Sequence, residues 1–360
     1  MSGVIFYSLI VLISFLTARN IKGGVLSCGM EDRVKDRILL TALFFLLWLP
    51  AALRIYTGND YSTYIEHFHD ANVGNYVVTE EGFNLVVRGI YAFLDGEYFL
   101  VIFAVFSAVT VFFFLRALYE QSGYFAESFL LLMLFGLYFQ TYNTVRYYMA
   151  LSVLFWSLRF VQNRQYGKFV IVVFAAALFH KTALLVLPMY PVCRMKWGRY
   201  HYAALALLGI SGLLFADRYM EIFIRLYPSY LNDPEALAGG GISIVNIIRC
   251  AAVLILCLSC GIKEGLYFNM NTAALVLYIC FSFVPFLSRI GYLLGVSQLF
   301  LIPEAVQKIN RKYVKGFIYA AAGLYFAVFL WKAFGETVKI LPYHTWLTYG
   351  SEAFRVFKGI

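Results

Sequence analysis

Charge is what this chain has least of. Only 14% of its 360 residues are Asp, Glu, Lys or Arg, against about 25% in ordinary soluble domains. So little charge cannot clothe a core with polar surface, which excludes disorder, collagen-like structure and cytosolic enzymology as main readings. Acidic residues are scarcer than basic ones, 20 against 29, for a net charge of +9. Such an excess can signal nucleic acid, but in an apolar chain the positive-inside bias is the simpler cause, and no nucleic-acid partner is expected. Cysteine is sparse. The single C-x-x-C, Cys257 and Cys260, sits in an apolar run without a second pair or a histidine cluster, so neither a disulfide framework nor a zinc site is implied. Gly239-Gly240-Gly241 lacks the G-K-[ST] of a phosphate loop. The apolar stretch 3–18 has no basic residue before it and no A-x-A after it, so it reads as a first spanning helix with its N-terminus outside, not a cleavable signal. No internal repeat is present.

What the chain has is hydrophobe. Apolar residues make up 62% and the mean hydropathy is +0.74, the composition of a polypeptide that dissolves in lipid. Crossing about 30 Å of hydrocarbon takes roughly 20 helical residues. Runs of that kind are 3–18, 38–53, 97–115, 127–141, 145–161, 201–216, 243–262, 270–287, 290–306 and 316–331. The expected fold is therefore all-α: a single polytopic integral membrane domain over 1–360 with about 11–12 transmembrane helices. Lys and Arg gather in 19–37, 159–168, 194–199 and 308–315, which the positive-inside rule places in the cytoplasm. That orientation requires 83–94 to lie along the outer face and 169–193 to turn outside near His180. Extracytoplasmic loops are then expected near 54–82, 217–242 and 332–360, with both termini outside.

Polar residues collect on the expected outer side, in 54–70, 80–84, 140–150, 179–183, 227–241 running on to Asn246 and Arg249, 286–294, and 341–346. Each has a plain reading and a functional one. Asp60 in G-N-D-Y is equally suited to cap a helix. His67 and His69 beside Asp70 offer metal ligands or a solvated loop, and no metal is expected. Arg146 lies one turn into a span and can snorkel. Arg289, among Leu287, Ile290 and Leu293, is expensive in lipid and functional by default. Aromatic stripes are first a packing feature, with 28 Tyr and 35 Phe available. Together, several arginines at outer helix ends suit bidentate phosphate binding, and the aromatic and Asn, Asp or Glu side chains around them suit sugars. The pattern suggests a site for a sugar-bearing, phosphate-linked lipid.

At these residues the chain resembles the EpsG family. The matching patterns are Arg54, Gly58, Asp60, Tyr61 and Tyr64 (R-x-x-x-G-x-D-Y-x-x-Y), Glu81 to Asn84 (E-G-F-N), Asn143, Arg146, Tyr147 and Ala150 (N-x-x-R-Y-x-x-A), Phe179, His180 and Ala183 (F-H-K-T-A), and Ser288, Arg289 and Tyr292 (S-R-I-x-Y). One departure is Tyr147, where the pattern leads one to expect Gln. The resemblance implies a Wzy-like polysaccharide polymerase of bacterial capsule, exopolysaccharide or O-antigen systems, multi-pass in the cytoplasmic (inner) membrane, with its active site outside and a GT-C-like membrane transferase architecture. It implies an undecaprenyl-diphosphate-linked oligosaccharide as substrate, inverting transfer without metal or nucleotide cofactor, and a flippase and a chain-length regulator as partners. In that scheme Arg54, Arg146, Arg249 and Arg289 bind the diphosphate. Tyr61, Tyr64, Glu81, Asn84, Asn143 and Tyr292 hold sugars. Asp60 or His180 takes the acceptor proton. The alternatives are an O-antigen-ligase-like enzyme, an acyltransferase, or a transporter or flippase of lipid-linked sugars.

Overall fold

The computed structural model describes residues 2–26, 29–226, 243–283, 287–335 and 338–346. Among these residues the regular structure is helical, and the only β feature is an isolated bridge between Arg54 and Thr345. The chain folds into two compact units, Met1–Leu184 with Arg311–Ile360, and Leu185–Asn310.

The first unit holds α1 (Ser2–Ala18), α2 (Gly29–Ala52), α3 (Tyr61–Val73), α4 (Glu81–Leu94), α5 (Phe99–Gln121), α6 (Phe125–Leu134), α7 (Leu137–Gln140), α8 (Val145–Gln162) and α9 (Tyr166–Ala177). At its frame α5 packs between α2 and α8. This helix is apolar all round, as a helix buried among others in lipid must be. The Trp48 indole of α2 donates to Ala104 O at 2.8 Å, and Gln121 Nε2 of α5 donates to Phe155 O of α8 at 3.2 Å. The helix α17 (Lys312–Lys332) also belongs to this unit and packs on α6. Chain 338–346 lies against α1 and α2: Tyr7 donates to Ile340 O at 2.7 Å and Tyr343 to Pro50 O at 2.9 Å.

The second unit holds α10 (Val186–Arg194), α11 (Arg199–Leu214), α12 (Ala216–Leu226), α13 (Ile244–Ser259), α14 (Leu266–Cys280), α15 (Leu287–Gly295) and α16 (Gln298–Gln307). At its centre α14 touches α10, α11, α13, α15 and α16. Buried amides on α14 satisfy neighbouring helix ends, as buried polar groups must: Asn269 Nδ2 donates to Cys193 O at 2.9 Å, and Asn271 Nδ2 to Cys250 O at 3.0 Å.

Among the described residues three helical segments, Phe99–Gln121, Arg289–Gln307 and Lys312–Lys332, are by themselves long and apolar enough to cross a membrane. Arg199–Leu214 with Ala216–Ile222 makes a fourth when counted as one span bent by 88°. The fold is that of an all-α membrane protein. It differs from the sequence reading in where helices begin. The first basic cluster is not all loop, because α2 starts at Gly29 and carries Arg33, Lys35 and Arg37 within it. The expected 54–82 loop contains α3, an amphipathic helix that buries Tyr61, Tyr64, Phe68 and Ala71. The expected 217–242 loop begins as helix α12, where Arg218 and Arg225 pair with Glu221; residues 227–242 lie outside the described residues. Residues 83–94 belong to α4, whose 14 residues make about 21 Å, too short to span. The break expected at His180 is present, since α9 ends at Ala177 and a 3₁₀ turn follows over Lys181–Leu185.

Candidate active site

Five of the seven polar clusters meet at one end of the first unit. The loop after α2 turns at Gly58, whose φ is +111°. A Cβ there would lie 2.3 Å from Tyr142 O, so only glycine lets the loop press onto the α7–α8 connection. Asn59 N then donates to Asn143 Oδ1 at 2.8 Å, and Gly58 N to Lys339 O at 2.8 Å. A second close approach occurs at Gly82, where a Cβ would stand 2.6 Å from Leu178 O. The start of α4 thereby fits against the Leu178–His180 turn. G-x-D is in this way fastened to N-x-x-R, and E-G-F-N to F-H-K-T.

Arg146 and Glu80 form the centre of this assembly. Arg146 Nη1 donates to Glu80 Oε2 at 2.5 Å, and the two side chains are 17% and 14% exposed. The guanidinium stands 5.4 Å from the Phe83 ring centroid and 5.9 Å from that of Tyr64, while its buried Nε makes no hydrogen bond. The other oxygen of Glu80 accepts from Lys181 N at 3.1 Å. Glu80 occupies the N-cap position of α4 but makes no cap hydrogen bond; its carboxylate serves Arg146 and the His180–Lys181 turn instead. Beside it opens a cleft of about 450 Å³. Asn75, Glu80, Glu81, Asn84, Arg88 and Lys181 are among its walls.

His180 is 6% exposed. Its Nδ1 lies 2.7 Å from Thr182 Oγ1, and its ring meets Tyr147 edge-on at 5.4 Å. The residue that departs from the family pattern is therefore an aromatic wall for this histidine. Asp60 precedes the first residue of α3, yet its carboxylate makes no cap hydrogen bond. His67, on the face of α3 that continues to the cleft wall at Ala71, rests on the Tyr64 ring with centroids 6.3 Å apart. Burial first, and then the Arg146 charge, hold its pKa below the ordinary histidine value. His69 turns away to Glu97, with Nδ1 2.9 Å from the carboxylate, and the hydrogen bond to that carboxylate raises its pKa.

Other candidates have mainly internal partners. Arg54 is 1% exposed. Its Nη1 donates to Ala51 O and its head is flanked by the Phe103 and Tyr142 rings at 4.6 and 5.2 Å. Tyr61 stacks on Phe103 at 4.8 Å and donates to Arg54 O at 3.3 Å. Tyr64 Oη accepts from Arg146 N at 3.3 Å. Asn143 is buried and also donates to Gln140 Oε1 at 3.2 Å. Asn84 accepts from Thr79 Oγ1 at the edge of the cleft. Glu81 is exposed and pairs with Arg88. The sequence reading chose Glu81 and passed over Glu80, Lys181 and Thr182.

Arg249, Arg289 and Tyr292 belong to the second unit. Arg249 is half-buried on α13, with its Nη2 beside Gly295 at the end of α15. Arg289 is half-buried in the first turn of α15 and Tyr292 lies one turn on. Asn246 is buried one turn before Arg249 and donates to Ser243 Oγ at 2.8 Å. The cluster 227–241 lies outside the described residues.

No curated protein and no solved structure matches this chain. The model of the EpsG family matches residues 37–345, a range that takes in every candidate residue above, and the chain belongs to that family.

Proposed function

We propose that this protein is a Wzy-type polymerase that joins undecaprenyl-diphosphate-linked oligosaccharide repeat units at the outer face of the bacterial cytoplasmic membrane. Family membership supports a polysaccharide polymerase. The observation that carries the finer reading is the Arg146–Glu80 pair at the edge of a polar cleft, fastened to the His180 turn. A diphosphate entering the cleft displaces the Glu80 carboxylate and takes the guanidinium fork, including the Nε that makes no hydrogen bond. Arginine suits this exchange because its planar donors match phosphate oxygens two at a time.

In the reaction the acceptor hydroxyl oxygen attacks the anomeric carbon of the donor sugar. The bond from that carbon to the lipid diphosphate breaks on the opposite face, so configuration inverts. Negative charge grows on the departing diphosphate, and fixed guanidiniums aimed at it lower the barrier without needing to reorganise. The hydroxyl proton passes to Asp60 or His180 as general base. Arg249 and Arg289 of the second unit are assigned to phosphate binding, and Asn84 and Tyr292 to sugar hydroxyls and rings. Arg54, Tyr61, Tyr64 and Asn143 support the reading indirectly, by holding the loop that carries Asp60 and the helix that carries Arg146. The step is assigned no metal or nucleotide, and the architecture is read as GT-C-like.

The test is complementation in a host that makes the repeat units but lacks its own polymerase. Expression should convert single lipid-linked repeats into a polymer ladder on gels. Absence of the protein should leave single repeats on the outer face. Accumulation of repeats on the inner face instead would assign the protein to transport and overturn the reading.

A further inference from the structure

The far end of α2, α5 and α8 from the Arg146 site carries a second polar cleft. It encloses about 700 Å³, with Gly24, Arg33, Arg37, Glu120, Arg159 and Asn163 among its walls. Gly24 lies in the α1–α2 connection, Arg33 and Arg37 at the start of α2, and Glu120, Arg159 and Asn163 at the ends of α5 and α8. Arg54, Phe99 and Arg146 lie at the other ends. The 23 residues of α5 separate the two levels by about 34 Å, close to the hydrocarbon thickness of a bilayer. The cleft is thus at headgroup depth. It also brings together the basic stretches 19–37 and 159–168, which the charge bias puts on the cytoplasmic side.

The charges in this cleft do not cancel. Glu120 is engaged by Arg116 Nε at 2.9 Å, by Trp156 Nε1 at 2.7 Å and by Arg159. Arg33 and Arg37, four residues apart on one face of α2, are both exposed, and among the described residues neither guanidinium has an ion pair or a hydrogen bond. On the adjacent stripe of the same helix Val34 and Ile38 are exposed too, and with Met30 and Leu39 they line an apolar groove of about 550 Å³. Two unengaged forks beside an apolar groove, at headgroup depth, are the two halves of a site for an anionic amphiphile. Arginine forks match phosphate oxygens, and basic pockets between cytoplasmic helix ends are where anionic headgroups bind.

We propose that the Arg33–Arg37–Arg159 cleft binds the headgroup phosphate of an anionic phospholipid of the surrounding bilayer, with its acyl chain along Val34 and Ile38. The site is independent of the polymerase reading, because none of its residues belongs to the opposite end. The full-length protein is reconstituted in phosphatidylcholine discs, with or without phosphatidylglycerol, and its thermal midpoint is measured. Retained lipid is counted by native mass spectrometry. Phosphatidylglycerol should raise the midpoint and remain bound to wild-type protein, and both effects should be lost in the Arg33→Gln, Arg37→Gln double variant. Equal retention by wild type and double variant overturns the site, as does a wild type that ignores phosphatidylglycerol. Inorganic phosphate added to phosphatidylcholine discs should leave the midpoint unchanged; an equal rise would make the ligand a free anion and overturn the lipid assignment. Should the double variant fail to insert, the two single variants carry the test. Each should retain less phosphatidylglycerol, and unchanged retention in both overturns the site.

Discussion

Glu80 and Arg146 separate structural from catalytic importance, because the ion pair and the phosphate contact make different demands on the same guanidinium. The pair is largely withdrawn from water, at 17% and 14% exposure, yet it borders an open cleft. Exposed pairs contribute about 0–1 kcal/mol, and breaking a fully buried pair costs about 3–5 kcal/mol. A pair at this depth falls between them. The coupling measured by a cycle of Glu80→Gln, Arg146→Gln and the double variant should be about 1–3 kcal/mol. Arg146 stays charged in Glu80→Gln and keeps the Phe83 and Tyr64 faces as partners. The single loss from Glu80→Gln should therefore lie near the lower figure.

Activity should not follow stability. Glu80→Gln leaves the guanidinium able to receive a diphosphate, so polymer should persist at reduced yield. Arg146→Gln removes the group that meets the leaving charge, and loss of one such donor typically costs about 10²–10³ in rate. Arg146→Lys keeps a cation near Glu80 but loses the fork, and should polymerise poorly while restoring most of the stability. Thermal midpoints in detergent give the coupling, and polymer ladders from cells with matched expression give the activity. Full-length polymer from Arg146→Gln would refute the argument: Arg146 would then be a strut between α8 and α4 and nothing more.

Four further outcomes are expected. Asp60→Asn should lose transfer by about 10²–10⁴ with insertion intact; a normal ladder from it, with none from His180→Ala and His180→Gln, moves the base to His180. Gly58→Ala should destabilise by about 2–4 kcal/mol, because its φ of +111° and the Tyr142 carbonyl, 2.3 Å from where a Cβ would stand, both resist a methyl group; an unchanged thermal midpoint would count against this loop geometry. Arg289→Ala should abolish polymer while the protein still inserts, and Arg289→Lys should be severely impaired; a full ladder from well-expressed Arg289→Ala removes that arginine from the mechanism. His67, with its pKa held down by burial and Arg146, binds fewer protons folded than unfolded. Its stability contribution is thus present above about pH 6.5 and shrinks as pH falls below it. His69, raised by Glu97, has the opposite sign and loses its contribution as pH rises above that value. The fall in thermal midpoint between neutral and mildly acidic pH should accordingly be smaller in His67→Gln and larger in His69→Gln; no difference from wild type refutes the assignment.

The helical membrane class followed from composition because a chain with 14% charge has no other place to put its hydrophobes. Helix ends were harder to read. Hydropathy marks where polar residues start, whereas backbone geometry decides where a helix starts, and α2 runs two turns into charged sequence from Gly29. The same reasoning missed α3 and α12, which are amphipathic and, taken singly, shorter than a span. The grouping of the site was more legible. Arg54, Gly58, Asp60, Asn143, Arg146 and His180 all stand in the polar clusters and in the motifs that carry the family resemblance, and all belong to the first unit. Their division of labour was not legible. Arg54 and Arg146 look alike in sequence, and only the fold shows one sealed by Phe103 and Tyr142 and the other paired with Glu80, a wall residue of a cleft.

The choice between Glu80 and Glu81 was open to sequence reasoning through helical phase. On α4 the residues Phe83, Val87 and Tyr91 recur at four-residue steps and form the buried face. Counting back three from Phe83 reaches Glu80, on that same face. Counting on seven from Glu81 reaches Arg88, on a flank about 100° round the helix, where the two pair at the surface. A carboxylate in phase with a buried stripe has to find a cation or remain uncompensated at the edge of the core. The next polar cluster supplies one at Arg146. Phase therefore points to Glu80 as Arg146's partner in the free protein, and so, in the proposed mechanism, to the group that the diphosphate displaces.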